Sequence, residues 1–445
     1  MPRDFTSIMG KAEITRMQHP RGGLRPSYRT FVRLMIIVLF AVPSRHCFAE
    51  DWLQWGGSHG DFRVDTKGLA DAWPADGPKQ LWKRQLGDGY SSILCKGARL
   101  FTVYRDGDAA VVISLDAQTG ATNWEYRYSP KLWSDMTHEF GLGPNATPLI
   151  IRDRIISISI DGHIHCLDLA LGKLLWEHDL PEEFGRRKRV EEYGYSNSPL
   201  AYKNMIIVQV GGDDYAVVAF DPENGSVIWK SEPGGISYAP ATLTTLAGQD
   251  QFLYFEPEGV VGLDPSTGRV LWRSEIEFNN GNHLTPVVKC DANHIWVASQ
   301  FVTGGGRLLE IARRDDALVA QQVWFESKLR ASHWTSVRID DYVYGSVGGN
   351  DVSFLAAFDW RTGKLAWRER GLHKAQCLYA DGKLIFLDEN GQLAIAKVSP
   401  KGLQILAKAS VTQSVSWTLP TLVSTSLYLR DRKHILALDL AGNGE

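Results

Sequence analysis

An all-β fold is predicted: an eight-bladed β-propeller of four-stranded antiparallel blades, closed by pairing of the N- and C-terminal strands. Three features predict it. A ten-residue motif recurs five times with constant internal spacing. A Pro-containing strand signal recurs upstream of such motifs. Residues 78–445 then divide into eight units of about 46 residues, the length of four short strands and their turns. No helical periodicity of useful length competes with this reading.

The motif reads LDAQTGATNW (Leu115–Trp124), LDLALGKLLW (Leu167–Trp176), FDPENGSVIW (Phe220–Trp229), LDPSTGRVLW (Leu263–Trp272) and FDWRTGKLAW (Phe358–Trp367). Gly follows Asp by four residues and Trp follows it by eight, giving Asp116–Gly120–Trp124, Asp168–Gly172–Trp176, Asp221–Gly225–Trp229, Asp264–Gly268–Trp272 and Asp359–Gly363–Trp367. An apolar strand ends at Asp, whose carboxylate can accept the turn amides two or three residues on. Gly supplies the positive φ of the turn. The next strand carries a large aromatic suited to filling the gap between neighbouring sheets.

Two copies are degenerate. Leu308–Trp324 keeps only Trp324, and Leu393–Leu406 has lost both Asp and Trp. The eighth copy, Ile435–Gly444, keeps Asp439 but stops where its Trp strand should start. The missing strand is found at the other end, around Trp82, so Gln80–Leu86 is expected to pair with Ile435–Leu440. That closure hides the edges an open array would expose.

The upstream signal is NATPLII (Asn145–Ile151), SNSPLAY (Ser196–Tyr202), YAPATL (Tyr238–Leu243), LTPVVKC (Leu284–Cys290) and SWTLPTLV (Ser416–Val423). Pro near a strand start is tolerated because the missing donor is not needed there. These strands are the innermost of their blades.

Ahead of the repeat, Leu34–Val42 is an apolar run of nine residues preceded by Arg21, Arg25, Arg29 and Arg33 and followed by Cys47-Phe48-Ala49. That pattern reads as a signal peptide over residues 1–49, with a long basic region, and so as a periplasmic or secreted protein. Nine residues are too few to span a bilayer, and no other run approaches that length. A buried strand or helix is the plainer alternative for the run. Residues 50–77 form an N-terminal arm, and Trp52 and Trp55 within it are expected to matter less to stability than the motif tryptophans. Residues 78–445 form the propeller.

Composition excludes several classes. The chain has 48 Lys+Arg against 51 Asp+Glu, a net of −3. Residues 51–445 and Glu50 alone hold 40 basic and 49 acidic residues, a net of −9. Nucleic acid is therefore not an expected partner, and the exported chain reads as a monomer. Cys95, Cys166, Cys290 and Cys377 are widely spaced and fall in different blades, so they read as free buried thiols. His163 and His165 share a strand face, but two ligands fall short of a zinc site, and they read as blade-surface residues. Arg186–Arg189 is flanked by glutamates and reads as a solvated loop. Gly304-Gly305-Gly306 reads as a hairpin turn.

At a propeller's mouth, the residues entering the innermost strands ring the default ligand site. Here they are Tyr90, Asn145, Tyr195, Asn197, Tyr238, His283, His333, Trp334, Lys374 and Trp417, an aromatic and hydrogen-bonding set with no carboxylate and one Lys. The insertions Arg127–Gly143 and Asp179–Gly194 should crowd the same rim.

The Asp–Gly–Trp motif resembles the tryptophan-docking motif of the PQQ-like β-propeller repeat proteins, the quinoprotein alcohol dehydrogenase-like superfamily, over essentially all of residues 51–445. The opening Asp51–Gly56 and the closing Ser416–Asp431 resemble exported bacterial members of the BamB-like group. The resemblance implies the fold strongly and the function weakly, since this fold serves both dehydrogenases and non-catalytic scaffolds. For the dehydrogenases it implies PQQ and Ca²⁺ in the channel. The vicinal Cys pair and the Cys-x-x-Cys-His haem motif are missing here, and no calcium ligands can be matched. Arg430 is the one cation whose family match would favour PQQ.

Three readings follow. The first, preferred, is a non-catalytic binding or scaffold module for a protein or polymer ligand, without cofactor or metal. The second is a PQQ-dependent dehydrogenase of alcohols or sugars with Ca²⁺. The third is a structural propeller with a sealed channel.

Overall fold

A computed structural model describes residues 50–442, apart from 135, 186–192, 236, 275–286, 301–303, 333, 350–351 and 373. The expected signal peptide, the Arg186–Arg189 loop, His283 and His333 lie outside the described residues.

Eight blades of four antiparallel strands follow one another along the chain, and the seventh gains a fifth, parallel strand, Arg63–Val64. Blade one is Leu94–Lys96, Arg99–Asp106, Ala109–Asp116 and Thr122–Tyr128. Blades two to seven repeat this order. Blade eight takes Thr421–Val423, Ser426–Arg430 and His434–Asp439 from the C-terminal end and Lys79–Gln85 from the N-terminal end. The closing register runs from Lys79 opposite Asp439 to Gln85 opposite His434. Closure therefore occurs as the sequence predicts.

Burial follows from this stacking. Middle strands such as Ala109–Asp116 are buried along almost their whole length, because each face meets a neighbouring blade. Outermost strands such as Thr122–Tyr128 alternate between exposed and half-buried residues.

The motif works as a dock between blades. Asp116 Oδ1 accepts the Gln118 and Thr119 amides at 3.1 and 2.9 Å, and Gly120 sits at φ 71°. The Trp82 indole lies over Gly120, where a Cβ would come within 2.7 Å of the ring, and donates its N–H to Ala117 O at 3.0 Å. The same arrangement joins Trp124 to Leu169 O, Trp176 to Pro222 O, Trp229 to Pro265 O and Trp324 to Trp360 O. Each acceptor directly follows the motif Asp of the next blade. Trp367 reaches Ser399 O on blade seven, which lacks that Asp.

The arm departs from expectation. Trp52 is 2% exposed and pairs with Cys95 through both backbone groups. Asp51 Oδ1 accepts the Gly97 amide, in the turn at the end of the inner strand away from Tyr90. Leu53 O then accepts Ile150 N, and Arg63–Val64 pairs with Tyr379–Ala380. Leu69 N donates to Asp381, again at a far-side turn. The arm thus runs beneath blades one, two, seven and eight. Trp52 is therefore a core residue.

Two further expectations are corrected. Gly305 and Gly306 begin the strand Gly305–Arg314 and are not a turn. A Cβ on Gly306 would lie 2.6 Å from the Trp296 indole nitrogen, so close packing, not chain reversal, requires glycine there. His165 is not at the blade surface. It is 4% exposed and stacked on Tyr128 at 4.2 Å, and burial, seconded by His163, lowers its pKa to about 4. His163 lies between Asp161 and Asp179, at 3.2 and 3.1 Å. The four cysteines are free and buried.

Candidate functional site

The segments entering the inner strands are extended, so alternate residues face the axis. Tyr90 and Ser92, Asn145 and Thr147, Ser196 and Ser198, Tyr238 and Pro240, Lys374 and Gln376, and Trp417 and Leu419 all line one central cavity of 720 Å³. In blades two, three and eight the lining positions are one and three residues before the strand-entry Pro; in blade four they are the second residue before it and the Pro itself.

Tyr90, Asn145, Tyr238, Lys374 and Trp417 therefore line the cavity. Tyr195, Asn197, Trp334 and Arg430 are brought elsewhere. Tyr195 is buried against the turn at Gly162. Asn197 is one residue out of phase with Ser196 and Ser198, and its amide donates to Ala239 O of the next blade. Trp334 packs between blades and donates to Ser346 O. Arg430 is fully buried, and its guanidinium donates to Val103 O at 2.7 Å and Gly87 O at 2.9 Å. Burial lowers its pKa to about 10, which leaves it cationic at neutral pH.

The expected insertions reach the cavity through Glu139, Phe140, Gly141 and Tyr193. Five rings form a continuous wall. Tyr90 stacks on Trp417 at 5.4 Å, Trp417 meets Phe140 at 5.4 Å, Phe140 meets Tyr193 at 6.2 Å, and Tyr193 meets Tyr238 edge-on at 5.0 Å. The Tyr90 hydroxyl donates to Phe140 O at 2.7 Å, and burial pushes its pKa up to about 12. Trp55, from the arm, lines the cavity as well. Loop and arm residues carry no repeat signal, so the sequence does not single them out. The phase of the lining residues was available in the Pro register.

Charges at the mouth are mostly paired. Lys374 Nζ lies 3.1 Å from Glu389 Oε2, which also accepts the Trp417 indole N–H at 3.1 Å. Arg432 makes a two-pronged pair with Asp88. Glu139 adds a carboxylate to the wall, which the sequence reading of the mouth lacks.

The described residues do not fit a tri-anionic quinone held with Ca²⁺. Ca²⁺ takes six to eight oxygen ligands, and no cluster of three or more His, Cys, Asp or Glu side chains suited to a metal occurs among the described residues. Arg430, Arg432 and Lys374 are already engaged by carbonyls or carboxylates.

The family model described as outer membrane protein assembly factor BamB, a PQQ-repeat model, matches residues 130–346. Over that stretch, just under half of its length, the chain is similar to the PQQ-like β-propeller repeat proteins. The curated BamB of Burkholderia pseudomallei (strain K96243) is 26% identical to this propeller over 164 residues. That match takes in 34% of this chain and only 38% of the relative. Among solved structures, the quinohemoprotein alcohol dehydrogenase ADHIIG of Pseudomonas putida HK5 superposes with a TM-score of 0.58 at 11% identity, over 89% of this chain and 81% of that one. The computationally designed Ika8 protein gives 0.56 at 11% identity, over 84% of this chain and all of that one. At such identities the likeness is one of fold.

Proposed function

We propose that this propeller is an exported, non-catalytic binding or scaffold module that takes its ligand at the channel mouth. The observation that carries this reading is the aromatic-walled cavity whose neighbouring cations are already paired. Such a wall offers large, rigid contact surfaces and orienting polar groups, as binding pockets do. Its described residues offer no uncompensated positive charge to a tri-anionic cofactor, and an unpaired buried charge costs several kcal/mol. The similarity to BamB supports a scaffold role with a protein partner and a periplasmic location. The signal-like residues 1–49 support export.

The alternative, a PQQ-dependent dehydrogenase, is tested directly. The protein is titrated with PQQ and Ca²⁺ and assayed for dye reduction with alcohols and sugars. The expected result is no binding at micromolar PQQ and no dye reduction. Micromolar binding with substrate-dependent dye reduction overturns the proposal.

A further inference from the structure

We infer that the channel mouth binds the end of a neutral carbohydrate chain. This inference rests on the binding-module reading and specifies its ligand. The cavity combines three properties that seldom suit another class of ligand together.

The first is the ring wall. Tyr90, Trp417, Phe140, Tyr193 and Tyr238 present aromatic surface along one side of a 720 Å³ space. Such a volume is in the range of small-ligand pockets. The flat C–H faces of pyranose rings are apolar and pack on aromatic faces, while their hydroxyls need donors and acceptors at the edge.

The second is the polar lining. Asn145, Gln300 and Gln376 carry amides, and serines and Thr147 carry hydroxyls. Gln300 Oε1 is buried without a hydrogen-bond partner among the described residues. Leaving a buried acceptor unsatisfied is costly, and a ligand hydroxyl would satisfy it. An apolar ligand would leave that oxygen unpaired.

The third is charge. Lys374 is neutralised by Glu389, and Glu139 adds a negative group. An anionic glycan or nucleotide would meet repulsion without a free counter-charge among the described lining residues. The Glu389 bond to the Trp417 indole also fixes that ring in place, which reduces the ordering cost of binding.

The arm adds directionality. It passes beneath the inner strands on the far side and sends Trp55 into the cavity. The ligand therefore enters from the mouth and meets a floor, so a chain terminus fits and an interior segment does not thread through.

The experiment is calorimetric and fluorescence titration of the purified protein with malto-, cello- and chito-oligosaccharide ladders of two to eight units. Heparin fragments and a random peptide mixture serve as comparison arms. The expected result is saturable binding of one neutral ladder whose affinity stops rising within the first few units. Trp417→Ala should weaken it at least tenfold, Trp417→Phe should restore most of it, and unchanged melting of both variants would show that the fold is intact. Failure of all three ladders overturns the carbohydrate assignment. If the peptide mixture instead binds and Trp417→Ala abolishes that binding, the carbohydrate assignment falls and the binding-module reading stands. If PQQ with Ca²⁺ binds there and supports turnover, both fall. Affinity that keeps rising to eight units overturns the chain-end assignment.

Discussion

Trp272 donates its indole N–H to Gln251 Oε1, 2.7 Å away and within its own blade. Its counterparts instead cross to the next blade, as Trp229 does to Pro265 O at 3.2 Å. The cause lies in blade five, whose outer hairpin turns tightly between Arg314 and Ala317 and has no Asp–Gly turn to receive an indole. Gln251, fully buried, supplies the missing acceptor.

This difference separates two kinds of tryptophan. Truncation of either Trp229 or Trp272 to Ala should cost about 3–5 kcal/mol in urea unfolding, and Trp52→Ala should fall in the same range because Trp52 is equally buried. A double-mutant cycle distinguishes the partners. Gln251→Leu should couple to Trp272→Phe by about 0.5–1.5 kcal/mol and add simply to Trp229→Phe. Equal coupling to both would show that the intrablade bond has no separate role.

Closure depends on Lys79–Gln85 alone as the outer strand of blade eight. Deleting residues 78–86 should uncover the His434–Asp439 edge and the Gly120 turn that the Trp82 indole covers, and the protein should aggregate on sheet pairing. Light scattering and the melting temperature measure this. A monomeric deletion variant with unchanged melting would contradict it.

His165 gives the fold an acid sensitivity. The ordinary imidazole value is near 6.5, and in the fold burial holds it to about 4. Between those values the unfolded chain binds a proton that the folded chain does not, so stability falls as pH falls. The contribution is intact above about pH 6.5 and is lost progressively toward pH 4, by at most ~3 kcal/mol. His165→Phe should flatten this part of the stability curve. Parallel curves for wild type and variant from pH 7 to 4.5 would rule the effect out.

Arg430 should behave as a structural cation. Its donors serve main-chain carbonyls of the strand and loop before and within blade one. Arg430→Ala would orphan Val103 O and Gly87 O and leave a cavity, and a loss of at least ~3 kcal/mol is expected. Arg430→Ala that melts like wild type would show that these bonds contribute nothing.

What the sequence made legible was local. Asp, Gly and Trp lie within eight residues of one another, so turn chemistry and strand register can be read together, and five such units with three degenerate or divided copies mark out the eight blades. The cavity was legible only in part. Tyr90 and Trp417 stand at the strand entries, where position along the blade suffices. Asn197 and Trp334 stand there too, but their direction depends on alternation within an irregular entry segment, and a one-residue phase change turns a side chain from the axis to the gap between blades. Phe140, Tyr193 and Trp55 come from segments without a period. Their arrival at the axis is a product of long-range packing, as is the burial of Trp52 and His165.

The pairing of Lys79 with Asp439 also sets a timetable. The two partners are about 360 residues apart in sequence, and closing so long a loop carries a large entropic penalty that grows only slowly with length. A chain emerging from its N-terminus presents the Trp82 strand first and its partner last. Until His434–Asp439 has been made, that strand has no sheet to join. Blades one to seven can assemble in the meantime, each on its predecessor, with the two ends of the array still raw. The newborn protein is therefore at its most vulnerable to capture by another chain, or to a chaperone, in the interval before His434–Asp439 appears.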